Sequence, residues 1–303
     1  MNKNTGNLIA ILLIALIVLF TGCAGEEDTT PEATQVSTPT PEETVSTPTG
    51  HEQAGEPNES YPGLADIFDK KSGTEVITGS VQIEREGIML SGFLVQPSIS
   101  GRYPGIIMIH EWWGLNEQVK SMADILAREG YVVLAVDLFD GNVATTIEGA
   151  QANLRENPDE ETLPKMQAGL EYLRELPDVD PMNIASLGWC YGGGQSFLLG
   201  INEDLNATVI YYGRISTDTS DLIELREPVL GIFGAEDTSI PVDDVREFER
   251  LLKAQGTSAD IYIYEGAGHA FANPTNTEAF RKVQAIDAWN KTIDFLNLNL
   301  KVV

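Results

Sequence analysis

The sequence predicts an α/β fold: a mostly parallel central sheet with helices on both faces and an antiparallel pair of strands at its N-terminal edge. Three observations carry this expectation. From Gly105 onward, short apolar runs alternate with segments of helical spacing. Before them, two segments of period two flank the turn residues Glu86-Gly87. The loops that follow the later runs collect glycine, cysteine, aspartate and histidine, which suits the carboxyl ends of parallel strands, where loops meet in space.

Taken in order, Val76 to Glu84 and Met89 to Gln96 alternate as two antiparallel strands at one edge of the sheet. Gly105 to Ile109 is a continuous apolar run, hence a buried strand. Val119 to Arg128 has helical spacing closed by Gly130, and Tyr131 to Val136 is again a buried strand, which completes a strand, helix, strand crossover. Then follow a helix over Leu163 to Leu176, strand Ile184 to Leu187, a helix over Gln195 to Ile201, and strands Ala207 to Tyr212 and Val229 to Phe233. A helix over Val242 to Gln255, strand Ala259 to Tyr264 and a long amphipathic helix over Ala279 to Leu296 close the chain. A chain of 303 residues accommodates one large domain with appendages, and neither a repeat nor a second folded domain is visible.

The formal charge of −27, with no cluster of Lys and Arg, excludes nucleic acid as a partner, because phosphate neutralisation needs clustered cations. Acidity of this kind serves solubility first. The two cysteines, Cys23 and Cys190, lie in such different contexts that a disulfide between them is not expected, and each needs its own explanation.

Residues 1–22 read as an export signal: Lys3 precedes an apolar run from Leu8 to Phe20, and Thr21-Gly22 supplies small residues at the boundary. Phe20-Thr21-Gly22-Cys23 resembles the lipobox of lipoproteins, which implies cleavage before Cys23 and lipid on its sulfur. An uncleaved signal anchor and ordinary cleavage with release are the other outcomes. The small pair before Cys23 and an apolar run short for an anchor favour lipidation. Residues 23–60, built largely of Thr, Pro, Glu, Ser and Gly, bury too little to repay ordering and are expected to be a disordered tether. His51 lies within it as a solvated linker residue. The folded domain is then 61–303, held on the outer face of the cell membrane through a lipidated N-terminus.

The chemistry gathers on three loops. The strand ending at Leu187 runs into Gly188-Trp189-Cys190-Tyr191-Gly192-Gly193-Gly194, which opens a helix. This is the context of a nucleophile elbow with Cys in the central place, where glycines two before and two after relieve steric crowding. The turn sets the sulfur near a helix N-terminus, which favours a thiolate. Gly234-Ala235-Glu236-Asp237 follows one later strand and Glu265-Gly266-Ala267-Gly268-His269 the other. The order nucleophile, acid, base matches the α/β-hydrolase layout. Cys190 would attack an acyl carbon to form a thioester, His269 would move the protons, and Asp237, or Glu236 in its place, would orient the imidazole.

Together with His110-Glu111-Trp112-Trp113-Gly114, these motifs resemble the dienelactone hydrolase family over roughly Val76 to Leu296. The resemblance implies an α/β-hydrolase fold and hydrolysis of small carboxylic esters or lactones. It also implies that Glu111, after the third strand, holds the resting thiol and swings as substrate binds. The backbone N–H groups of Tyr191 and Trp112 are the candidate oxyanion donors. Trp112, Trp113, Trp189 and Tyr212 are candidate pocket walls, although core packing is the better expectation for any one of them. Family members that take dienelactone are implied to hold its carboxylate with arginines, one shortly after the catalytic histidine. The matching place here is Asn273, which speaks against an anionic lactone. Arg214 could supply a cation, although a surface role suits it better.

No cofactor or metal is called for by the pattern. Acyl transfer or thioester cleavage by the same three residues is the second enzymatic reading, and a non-catalytic binding lipoprotein is the reading from another class. Thiol redox work lacks a C-x-x-C partner.

Overall fold

A computed structural model describes residues 64–68 and 74–301. The export signal, Cys23, the tether and His51 lie outside the described residues.

After a short helix α1 (Leu64–Phe68) come strands β1 (Val76–Arg85), β2 (Ile88–Pro97) and β3 (Tyr103–Ile109). Helix α2 (Glu117–Arg128) leads to β4 (Val132–Asp137), and α3 (Ile147–Glu156) and α4 (Asp159–Glu175) lead to β5 (Val179–Trp189). The remainder is α5 (Tyr191–Gly200), β6 (Ala207–Tyr211), α6 (Thr219–Leu222), β7 (Val229–Gly234), α7 (Val242–Gln255), β8 (Ala259–Tyr264) and α8 (Lys282–Leu300). The eight strands form one sheet in the order β1-β2-β4-β3-β5-β6-β7-β8. β1 pairs antiparallel with β2 and β2 antiparallel with β4, while every later pairing is parallel. The first hairpin turns on Glu86 and Gly87, whose φ angles of 52° and 84° give the double left-handed turn that matches strand twist.

Side-chain alternation sorts the core into two layers. On β3 and β4, Ile106, Met108, Val133 and Ala135 face the layer containing α2 and α8, whereas Ile107, Ile109, Leu134 and Val136 face the layer containing α4. Phe197 of α5 and Phe248 of α7 pack on the same side farther along the sheet. Both faces of the central strands are therefore buried, which explains their unbroken apolar runs. Asn116 caps α2 by accepting from the Val119 N–H at 3.2 Å, and Gly256, at φ 94°, ends α7.

The connections set the site. From β3 the chain passes to β4 on one side and later to β5 on the other, so the loops after β3 and β5 diverge and leave a crevice at their carboxyl ends. Glu111 follows β3 and Cys190 follows β5.

Several helices depart from expectation: the short α1 and α6 were not anticipated, and α5 starts at Tyr191 rather than Gln195. α3 was not anticipated; only Ala150 and Asn153 of its ten residues are buried, one small and one polar. α4 starts at Asp159 rather than Leu163, because Asp159, Glu160 and Glu161 occupy its first turn, where acidic side chains are favoured. α8 starts at Lys282, three residues late, because Asn276 to Arg281 form a turn in which Phe280 N–H donates to the Asn276 carbonyl at 2.8 Å.

Candidate active site

Cys190 sits between β5 and α5 at φ 55° and ψ −117°, a region a non-glycine residue occupies only under constraint. The constraint is steric. A Cβ on Gly188 would lie 2.0 Å from the Gly192 carbonyl oxygen, and one on Gly192 would lie 2.3 Å from that of Ile109. Both positions therefore require glycine, and the first turn of α5 rests directly on the end of β3. The Cys190 N–H is tied to the Tyr211 carbonyl at 3.0 Å.

The three loops converge. His269 Nε2 lies 3.1 Å from Cys190 Sγ, and His269 Nδ1 lies 2.8 Å from Asp237 Oδ2. The other carboxylate oxygen of Asp237 accepts from the N–H groups of Ser239 at 2.8 Å and Ile240 at 3.1 Å, so the carboxylate is fixed with one oxygen toward the imidazole. Glu236, the alternative acid, is exposed, and its N–H donates to the Ala267 carbonyl at 2.9 Å, which ties the aspartate loop to the histidine loop.

Electrostatics follow from these contacts. Burial disfavours charge on His269, but hydrogen bonds to Asp237 and Cys190 and the negative charge of both partners outweigh it and push its pKa up to about 10. Burial likewise opposes ionisation of Asp237, yet His269 and the Ser239 and Ile240 N–H groups hold its pKa below the ordinary value. The pair thus favours imidazolium beside carboxylate.

Glu111 is buried and differs from the expectation that it holds the thiol. The hydrogen bond to Sγ belongs to His269, while Glu111 Oε2 accepts from Asn273 Nδ2 at 2.6 Å. Burial raises the Glu111 pKa to about 7, against the lowering influence of Asn273, His269 and the nearby Tyr212 hydroxyl. Glu111 Oε1 and Tyr212 Oη are both buried with no hydrogen-bond partner among the described residues. Tyr212, at φ 36°, sets its ring edge against His269 at a centroid distance of 5.3 Å.

His110 is a positioning residue that sequence reasoning passed over. It is wholly buried, its Nδ1 lies 2.6 Å from the Glu111 carbonyl, and its Nε2 accepts from the Leu138 N–H at 3.1 Å. Burial lowers its pKa, with the Glu111 carbonyl and Asp137 opposing, so the ring is neutral with its proton on Nδ1. The only available signal was its place beside Glu111.

Of the candidate wall residues, Trp112 and Trp113 are half-buried and pack edge to face at 5.1 Å. Trp189 packs in the core rather than walling the pocket. It is 4% exposed and packs on Tyr211, because strand alternation sends it with Ala185 and Leu187 into the core on the α8 side. Arg214 is exposed and paired with Asp159 at 2.5 Å, a surface ion pair. The N–H groups of Tyr191 and Trp112 have no acceptor among the described residues, and Tyr191 N–H is an unsatisfied donor of the first turn of α5. Among the described residues, no group of three or more His, Cys, Asp or Glu side chains could hold a metal ion.

A parallel sheet with an antiparallel edge, a strained cysteine at a strand-to-helix bend, and an acid and a histidine on later strand-end loops define an α/β-hydrolase. More narrowly, the chain belongs to the dienelactone hydrolase family, whose model matches residues 90–300. The protein is accordingly a carboxylic-ester hydrolase of that type. Protein usf of Aquifex pyrophilus is 29% identical over 223 residues, which cover 71% of this chain and 96% of that protein. A Synechocystis protein provisionally named carboxymethylenebutenolidase is 27% identical over 244 residues, 75% of this chain and 99% of its own. Among solved structures, a provisionally named dienelactone hydrolase from Klebsiella pneumoniae superposes with a TM-score of 0.67 at 26% identity, covering 73% of this chain and 98% of that one.

Proposed function

We propose that the protein hydrolyses small carboxylic esters or lactones through a thioester formed on Cys190. The observation that carries this reading is the unbroken relay from Sγ to His269 at 3.1 Å and from His269 to Asp237 at 2.8 Å. The thiolate attacks the acyl carbon, and the carbonyl electrons move onto oxygen, for which the Tyr191 and Trp112 N–H groups are the candidate donors. Collapse breaks the bond to the alkoxide, which takes the proton from His269 Nε2. Neutral His269 then removes a proton from water as its oxygen attacks the thioester, the C–S bond breaks, and the acid leaves with thiolate and imidazolium restored. Asp237 stabilises the imidazolium throughout. Glu111 takes the proton of the resting thiol as substrate arrives and returns it to the sulfur once the acid has left, a part supported by its pKa near 7.

The substrate class agrees with the name of the Synechocystis relative, a carboxymethylenebutenolidase. The test uses the full chain in detergent with p-nitrophenyl acetate. Activity is expected to vanish in Cys190→Ala and after iodoacetamide, and turnover retained by that variant would remove Cys190 from the mechanism. Product analysis with an added alcohol separates hydrolysis from acyl transfer.

Cleavage and lipidation at Cys23 place the enzyme on the outer face of the membrane, a reading supported by the small pair before that residue and the short apolar run. Cys23→Ser is expected to move the protein out of the membrane fraction, whereas unchanged fractionation favours a signal anchor.

A further inference from the structure

We propose that Tyr212 is a positioning residue for Glu111: its hydroxyl donates to the carboxylate oxygen that Asn273 leaves free and so keeps Glu111 ready to take the thiol proton. This inference rests on the reading of Glu111 as the proton acceptor of Cys190.

The backbone of Tyr212 is held in an unusual place. Along β6, Val209 and Tyr211 face the α2 and α8 side of the sheet and Ile210 faces the other, so the pleat would send Tyr212 with Ile210. Instead Tyr212 takes φ 36° and joins the Tyr211 side. A bulky side chain at positive φ is strained, and close packing imposes the strain. A Cβ on Gly213 would lie 2.3 Å from the Gly193 carbonyl carbon, and one on Gly193 would lie 2.6 Å from the Tyr211 carbonyl oxygen, so the end of β6 is pressed against the first turn of α5. The Tyr212 N–H is fixed to the Ile232 carbonyl at 2.7 Å. Its ring packs on Tyr211, His269 and Phe271 at centroid distances of 6.0, 5.3 and 5.7 Å. The strain thus turns a wholly buried phenol toward the catalytic centre.

Asn273 accounts for one oxygen of the Glu111 carboxylate. Its Oδ1 accepts from the N–H of Thr275 at 2.9 Å and from the Thr275 hydroxyl at 2.7 Å, so only its NH2 remains for Glu111 Oε2, at 2.6 Å. Glu111 Oε1 is buried with no partner among the described residues, and so is Tyr212 Oη. The two groups act on one another: the hydroxyl favours the Glu111 carboxylate, and burial followed by the charges of Glu111 and Cys190 raises Tyr212 well above the ordinary phenol value. Oη therefore keeps its hydrogen. The Ala272 N–H also approaches Oη and takes up an acceptor site, which leaves the O–H as a donor. Turning that O–H onto Oε1 satisfies both orphan atoms at once. The other titratable rings about Glu111 have no nitrogen to spare. His269 serves Asp237 and Cys190, and the neutral His110 serves the Glu111 carbonyl and the Leu138 N–H.

Below pH 7 Glu111 is mostly protonated and has no room for the thiol proton, so kcat/KM climbs as the pH rises through 7. A hydrogen bond donated to the ionised form lowers a carboxyl pKa. Its removal moves the climb to higher pH.

The experiment is the profile of kcat/KM against pH, from 5.5 to 9.5, for p-nitrophenyl acetate with the full chain and with Tyr212→Phe, which keeps the ring and loses only the hydroxyl. The acid limb is expected near pH 7 in the unmodified protein and about one unit higher in the variant, the size of one hydrogen bond to a charged group. The variant should be about tenfold slower at pH 6 and nearly equal at pH 9. The Glu111 carboxyl carbon, followed by 13C NMR and identified by its loss in Glu111→Gln, should titrate higher by the same amount. A rate reduced by one factor at every pH marks a merely structural role and overturns the proposal, as does a Tyr212→Phe chain that does not fold. A carboxyl carbon that does not move overturns it too, while leaving Glu111 as the proton acceptor. If the carboxyl carbon moves and the acid limb does not, Glu111 is not the group that takes the proton, and the reading beneath the proposal falls together with it.

Discussion

His110 Nε2 accepts the backbone N–H of Leu138 at 3.1 Å, a bond that couples the end of β4 to the loop carrying Glu111 and Trp112. The opposite ring nitrogen contacts the Glu111 carbonyl at 2.6 Å, so one neutral tautomer satisfies two backbone groups of a wholly buried segment. His110→Leu leaves the Leu138 N–H without a partner. The expected cost is roughly 1–3 kcal/mol in stability, measured by urea unfolding. A larger fall in kcat than in KM is also expected, because the Trp112 N–H loses its support while the groups that bind the acyl chain stay in place. An unchanged kcat in a folded variant would separate this loop from oxyanion stabilisation.

Asp237→Asn tests the electrostatic half of the relay. The carboxylate is one of the two partners that push His269 to about pH 10, and an amide cannot hold the imidazolium. The alkaline limb of the kcat/KM profile, set by loss of the imidazolium, should therefore move to lower pH in the variant. The rate should fall by about two to four orders of magnitude, as expected when the orienting acid of such a relay becomes an amide. Because Oδ1 is held by two backbone N–H groups, the asparagine keeps its oxygen there and turns its NH2 toward His269 Nδ1. That forces the other tautomer and takes the acceptor away from the sulfur. A pH profile superimposable on the unmodified one would show that Asp237 does not govern the imidazole.

Legibility in the sequence followed the range over which each feature is determined. α7 and β8 occupy the expected residues, Val242–Gln255 and Ala259–Tyr264, because amphipathic spacing, a left-handed Gly256 and period-two strand character are local properties. The elbow was legible for the same reason, since its glycines and cysteine lie within five positions. α3 was not, as its buried positions, Ala150 and Asn153, are a small residue and a polar one rather than large apolar side chains. The hydrogen bond between Asn273 and Glu111 spans 162 positions. Only the folded sheet brings those loops together, and the locking of Asn273 by Thr275 has no signature beyond an ordinary turn. Trp189 adjoins Cys190 in sequence, but the strand pleat turns neighbours to opposite faces and sends it into the core.

Glu227 supplies the last prediction, away from the reacting groups. It lies just before β7, 7% exposed, and accepts from Thr208 Oγ1 at 2.5 Å and from the Arg226 N–H at 3.2 Å. Thr208 in turn adjoins the buried Ser186 and Ser196 hydroxyls, themselves 2.8 Å apart, beneath α5. Burial raises the Glu227 pKa to about 7, with Thr208 and local backbone donors opposing and Asp204 adding to the rise. The folded state therefore binds the proton more tightly than the unfolded chain, where a glutamate titrates near 4.3. By linkage, this contribution is complete below the unfolded value and is lost as the pH rises through 7. Glu227→Gln keeps both partners, with its oxygen toward Arg226 and its NH2 toward Thr208, and has no proton to lose. The variant should match the unmodified protein near pH 4 and be more stable at pH 8, by roughly 3–4 kcal/mol at most. Unfolding at the two pH values measures this directly. Glu111, raised to about 7 as well, accounts for the pH dependence that should persist in the variant, and a difference at pH 4 as large as that at pH 8 would assign the effect to packing rather than to the proton.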